Sequence, residues 1–176
     1  IASSIDNLAL VIFLSNASAC AILVGNRIGA GEESKAFRYA LRSLGLGVML
    51  AIVIGAVVLL VRQPILSLYK VSPQVLAQTN RVLGMIALFI WARVTNLTLY
   101  VGIFRSGGDT RFAFLFDVGT IWLVGVPLAA FAAFVLHLPV YWVYVFVMSD
   151  ELTKASVGLW RLFSRKWIHN LTTTIH

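Results

Sequence analysis

Five apolar runs dominate the chain, each long enough to cross the hydrocarbon core of a bilayer as a helix. They cover residues 5–24, 44–61, 82–104, 112–136 and 138–162, and a helical span needs about 20 residues. Membrane β-strands would alternate in pieces of about ten residues, far shorter than these runs. The chain is 60% apolar and 12% charged, whereas a soluble domain carries about a quarter charged residues. No water-soluble core of this size could hold the excess. The predicted fold is an all-α membrane protein, a polytopic helical bundle of about five transmembrane helices, with the lipid bilayer as its surroundings.

Turn chemistry sets the expected boundaries. Gly25, Gly29 and Gly31 are expected to stop the first helix, because glycine accepts the left-handed conformation found at helix ends. Ser72-Pro73 reads as an N-cap followed by proline at the first helical position. Gly107-Gly108 ends the third span, Asp109 or Thr110 caps the fourth, and His137-Leu138-Pro139 makes a tight hairpin. The stretch 32–43, with Lys35, Arg38 and Arg42 on one face, is expected to be an interfacial helix able to meet anionic headgroups.

A net charge of +7 and a pI near 10.1 would suit nucleic acid if the basic residues clustered on a soluble module. They lie at the ends of the apolar runs instead, so nucleic-acid binding is excluded as a reading. Nine (Arg27, Lys35, Arg38, Arg42, Arg105, Arg111, Arg161, Arg165 and Lys166) fall on one side and three (Arg62, Lys70 and Arg81) on the other. The richer side should be cytoplasmic. This predicts a multi-pass protein of the cell (plasma or inner) membrane with its C-terminal tail, 163–176, inside. Ile1 is not a methionine and no basic region precedes the first run, so that run is not a signal peptide; the chain is expected to be part of a longer protein.

Small residues recur every fourth position at Gly47, Ala51 and Gly55 and again at Gly125, Ala129 and Ala133. Such stripes let helix backbones approach closely in lipid. Pro127 removes a backbone donor and should distort the fourth helix.

Ionisable residues inside the runs are the sharpest functional signal, since each costs several kcal/mol unless paired or wet. Arg93 lies near the middle of the third run, Asp117 two turns into the fourth, and Asp150, Glu151 and Lys154 near the middle of the fifth. Arg93, Asn96 and Tyr100 share one helix face. Asp150 and Lys154 are a favourable i, i+4 pair, with Glu151 also in reach. Two readings stand side by side. The charges neutralise one another, with Arg93 paired to Asp150 or Glu151, or a carboxylate binds a proton, Na⁺ or a cationic substrate.

Other chemistry finds little support. Gly25-Asn26-Arg27-Ile28-Gly29-Ala30-Gly31 lacks the Walker spacing and a preceding strand, so phosphate binding is rejected. His137, His169 and His176 are dispersed, and no catalytic triad or metal cluster appears, so neither an enzyme nor a metal or other cofactor is expected. Cys20 is the one cysteine and reads as a packing residue. The glycosylation patterns at Asn16, Asn96 and Asn170 read as chance, two inside apolar runs and one in the tail.

Four elements taken in order resemble the multidrug and toxic compound extrusion (MATE) transporters. They are Val24-Gly25-Asn26-Arg27-Ile28-Gly29-Ala30-Gly31-Glu32, the loop Arg105-Ser106-Gly107-Gly108-Asp109-Thr110-Arg111, the proline helix Trp122-Leu123-Val124-Gly125-Val126-Pro127-Leu128, and the close from Asp150-Glu151 to Arg165-Lys166-Trp167. The resemblance implies twelve helices in two lobes, of which this chain would supply helices eight to twelve, its partner being the missing N-terminal part. It also implies efflux of small, drug-like, often cationic compounds by alternating access in exchange for Na⁺ or H⁺. The acid that some members carry in the tenth helix is replaced here by Arg93, Thr95 and Asn96, so that ion site does not carry over. Alternatives are a lipid-linked oligosaccharide flippase of the same superfamily and a membrane subunit that transports nothing itself.

Overall fold

The computed structural model describes residues 2–67 and 72–169. Lys70 and the tail from Asn170 to His176, with its glycosylation pattern, lie outside the described residues. The chain enters as α1 (Ala2–Gly29), α2 (Glu33–Ser67) and α3 (Pro73–Asn96), the last continuing as a π-helical stretch (Leu97–Phe104). Then come α4 (Thr110–Thr120), a π-helical stretch (Ile121–Gly125), α5 (Val126–Ala130) and a third π-helical stretch (Phe131–Val135). The last two elements are α6 (Val140–Val147) and α7 (Ser149–Phe163). No strand occurs among the described residues, and the molecule is the all-α membrane bundle its apolar runs call for.

Among the described residues, four helical stretches are long and apolar enough to cross a membrane: Leu10–Gly29, Glu33–Pro64, Gln74–Phe104 and Thr110–Val135. The fifth run is helical too, but broken at Met148 into α6 and α7. Its sequence explains the restart. A β-branched and aromatic stretch gives way at Ser149-Asp150, residue types that favour helix N-termini over interiors. Asp150 and Glu151 therefore sit in the first turn of α7, at its positive end, and Arg161 sits in the last turn, at its negative end.

Several boundaries differ from those read in the sequence. Gly25 and Gly29 do not stop α1, which runs through both. Only Gly31 takes the left-handed conformation, at φ +74°. Hydrogen bonds from Gly31 N to Ile28 O (2.9 Å) and from Glu32 N to Arg27 O (2.9 Å) close a Schellman motif there. The basic stretch 32–43 is no separate interfacial helix; it forms the first turns of the 35-residue α2. Asp109 precedes α4 as expected but caps nothing with its side chain, because its carboxylate is taken by Arg161. The disturbance from Pro127 takes the form of π-helical turns before it, in which Val126 N reaches back to Ile121 O. Ser72 does cap α3, its Oγ accepting from Val75 N at 3.4 Å, with Pro73 at the first helical position.

Close approach follows the small residues. A Cβ on Gly55 would lie 2.9 Å from the carbonyl oxygen of Ala87, and one on Gly47 would lie 2.9 Å from Asn16 Nδ2. Ala51 between them is fully buried, so this stripe is the α2–α3 seam. In the second stripe Gly125 is buried, while Ala129 and Ala133 are half-buried. Cys20 packs on Gly102 where α1 meets the first π-helical stretch. Leu60, Leu123 and Phe134, each close to four-fifths exposed, point outward from the bundle.

The basic end is closed by the residues after α7. Trp167 is fully buried, its ring lies on Gly107, and its Nε1 donates to Leu162 O at 3.0 Å. The backbone N of His169 donates to Gly107 O at 2.8 Å. Arg161 holds Asp109 Oδ2 through Nε and Nη2, both at 2.9 Å, and stacks over Phe112. Gly107→Ala should therefore drive a methyl into Trp167 and cost about 1–3 kcal/mol. Gly29→Ala, with open space around it, should be neutral or stabilise by up to about 1 kcal/mol. Thermal midpoints in detergent will separate the two; equal shifts would refute this packing.

Beside Gly31, Glu32 accepts from Lys35 Nζ (2.6 Å) and Arg27 Nη1 (2.7 Å). Those hydrogen bonds, that from Lys35 foremost, hold its carboxyl below its ordinary 4.5. A lowered carboxylate supports the folded turn above its unfolded value, and that support is lost as pH falls through the depressed one. A ¹³C titration of Glu32 should give a midpoint under 4.5, moved upward by Lys35→Gln.

Candidate functional site

A cavity of about 210 Å³ opens half-way along the bundle. Leu10 and Phe13 of α1 and Ile90, Val94, Leu97 and Val101 along α3 and its π-helical continuation form an apolar wall. Arg93, Asn96, Tyr100, Asp117, Glu151 and Lys154 form a polar one. The π-helical stretch begins at Leu97, on the cavity itself, a placement such distortions favour at functional sites.

Asn96 and Tyr100 tie α3 to α7. Asn96 Nδ2 donates to Glu151 Oε2 at 2.6 Å and to Glu151 O at 2.8 Å. The Tyr100 hydroxyl donates to Lys154 O at 3.2 Å. These bonds are possible because Gly158 lets the helices meet: a Cβ there would lie 2.9 Å from Leu99 Cδ1. Asn96 Oδ1 is buried and accepts from nothing among the described residues.

Lys154 supplies the central charge. Its Nζ lies 2.9 Å from Asp117 Oδ1 and 3.1 Å from Asp150 Oδ2. The lysine side chain is 5% exposed and that of Asp150 9%, whereas that of Asp117 is 53% exposed. Taking an ammonium out of water costs several kcal/mol, which two carboxylates at contact distance can offset. Asp150 packs against Gly125, where a Cβ would sit 3.5 Å from its carboxyl carbon, and stands behind the cavity wall.

Six of the seven ionisable and polar residues singled out in the sequence thus line one cavity, and Asp150 backs it. Their partners differ from those expected. Asp150 pairs with Lys154, as the i, i+4 spacing predicts, but Arg93 is not its counter-ion in the structure. Glu151 meets Asn96, and the second carboxylate on Lys154 is Asp117. The motif residues Gly25, Asn26, Gly29, Gly31, Arg105, Gly107, Gly108 and Asp109 lie at the basic end and Pro127 in the fourth span; none lines the cavity. Gly125, Gly158 and Trp167 escaped the sequence reading as parts of these contacts, and only the glycines' place next to polar helix faces hinted at them. Among the described residues, no group of three His, Cys, Asp or Glu is placed to hold a metal ion.

A polytopic helical bundle with a cavity that is apolar on one side and charged on the other defines the class, a multi-pass membrane protein. The MatE family model matches residues 1–131, and the chain belongs to that family, whose members are transporters and not enzymes. The match takes in α1 to α5 and ends before Asp150, Glu151 and Lys154. A curated relative, the multidrug resistance protein MdtK of Yersinia pseudotuberculosis serotype O:1b (strain IP 31758), is 28% identical over 127 residues. That alignment covers 72% of this chain and 28% of the relative, so the chain spans well under half the relative's length. No solved structure matches the chain.

The geometry ranks two of the helix ties. Asn96→Ala strips a part-buried carboxylate and a carbonyl of their donor and should cost about 1–3 kcal/mol, whereas Tyr100→Phe removes one neutral hydrogen bond worth about 0.5–1.5 kcal/mol. Unfolding in mixed micelles measures both. A Tyr100→Phe loss equal to or above that of Asn96→Ala would remove Asn96 as the principal tie.

Proposed function

We propose that this chain is the greater part of one lobe of a secondary active exporter of amphipathic, cationic small molecules, driven by Na⁺ or H⁺ through alternating access. The observation that carries the reading is the cavity: an apolar wall facing the carboxylates of Asp117 and Glu151. Family membership and the printed name of the Yersinia relative support it. In this reading a twelve-helix protein supplies the second lobe, and the basic end of the bundle faces the cytoplasm of a cell whose plasma or inner membrane holds it.

The coupling ion has a natural place at Glu151. Its carboxylate accepts from a neutral amide, and the same amide carries a second, buried oxygen acceptor, Asn96 Oδ1. A proton or Na⁺ bound at Glu151 would compete with the Asn96 amide for that carboxylate. Alternating access would work through the segmented fifth run and the π-helical turns of the fourth span, which are the places where the backbone ladder is already interrupted.

Expression of the gene from its start codon in an efflux-deficient host should lower steady-state accumulation of a cationic dye several-fold. Collapsing the Na⁺ and H⁺ gradients should abolish the difference, and Glu151→Gln should weaken it at least tenfold, about 1.4 kcal/mol in free-energy terms. Export that persists without gradients and stops on ATP depletion would rule out the antiport reading.

A further inference from the structure

We infer that Lys154 is a resident cation that guests must exchange with. Its ammonium occupies the Asp117 carboxylate, and an organic cation that takes Asp117 sends Lys154 wholly onto Asp150. This rests on the reading of the cavity as a site for amphipathic cations.

Three features of the geometry lead here. The ammonium is shared almost evenly, 2.9 Å from Asp117 and 3.1 Å from Asp150. The two carboxylates are unlike: Asp117 is half exposed and lines the cavity, whereas Asp150 is buried behind it against Gly125. A guest can therefore reach only one of them. They also belong to different elements. Asp150 lies one turn before Lys154 on α7, so that pair travels with the helix. Asp117 comes from α4, so its pair with Lys154 ties α4 to α7.

Exchange at Asp117 never leaves the ammonium unpaired, because Asp150 stays within reach. An uncompensated buried charge, the usual penalty for breaking such a pair, is avoided. The backbone of Lys154 is held meanwhile by the Tyr100 hydroxyl, which donates to Lys154 O. Glu151 and Arg93 also face the cavity, and neither holds the Lys154 ammonium. A guest has to carry positive charge to displace the lysine; a neutral molecule of the same shape leaves the tie intact. Cation binding thus cuts the ionic link between α4 and α7, and charge recognition is converted into loosening of two helices. The ligand class is a compact ammonium with one apolar face, sized to a cavity of about 210 Å³.

The chain has four lysines, few enough to follow by ¹⁵N side-chain NMR in lipid nanodiscs, with Lys154 assigned by its loss in Lys154→Arg. The probe is phenyltrimethylammonium, with tert-butylbenzene as its neutral counterpart. Saturation with the cation should move the Lys154 signal, and the neutral compound should not. Asp117→Asn without probe should place the signal where the saturated wild type has it. In equilibrium binding, Lys154→Met should bind the cation about tenfold tighter and Asp117→Asn at least tenfold weaker. Binding to the wild type with an unmoved Lys154 signal overturns the exchange while leaving the cavity reading in place. Absence of binding to both the wild type and Lys154→Met overturns the two together. The wild-type NMR titration decides the matter even if Lys154→Met fails to fold.

Discussion

A buried lysine ammonium has to be met by negative charge, and the way Lys154 is met organises the centre of this bundle. Two carboxylates reach it, one from its own helix and one from α4. Everything nearby accommodates that arrangement. The restart of the fifth run at Ser149 brings Asp150 and Glu151 to the positive end of a helix. Gly125 leaves room for Asp150, and Gly158 lets α7 close on α3 so that Asn96 and Tyr100 can bond its carbonyls.

The basic end is held by a different kind of contact. Gly107, Asp109 and Phe112 receive the last turn of α7 and the residues beyond it, chiefly Arg161 and Trp167. A buried indole and a part-buried guanidinium whose Nε and Nη2 both reach Asp109 Oδ2 make the closure, with Arg165 stacked on Phe37 of α2. The motif loop at 105–109 is thus a docking platform at one end of the bundle, and the cavity with its exchangeable charge lies elsewhere. The two regions are thus built from different residues in this member of the MatE family.

Much of this was legible in the residues. The apolar runs dictated helices and nothing else, because a backbone in lipid must satisfy its own hydrogen bonds. The i, i+4 spacing of Asp150 and Lys154 predicted their pair, and the rarity of charge in apolar runs picked out the residues that meet in the cavity. The misreadings share one cause. Glycine lowers helix stability only modestly, by about 1 kcal/mol against alanine, so Gly25 and Gly29 could be carried inside α1 once that helix was packed. Local signals for stopping a helix lost to tertiary contacts. Partner choice also escaped, since Asp117 lies 37 positions from Lys154 and no periodicity links two separate helices.

Sequence by itself determined that the chain is an apolar helical bundle, where its charges lie, and which of them share a helix face, because hydrophobicity and the 3.6-residue repeat are local properties. Only the tertiary structure decided that Lys154 answers to Asp117 as well as Asp150, that Glu151 is met by an amide, and that Trp167 closes the basic end on Gly107. Those choices depend on how helices cross, and the crossings are fixed by where glycine lets two backbones come together.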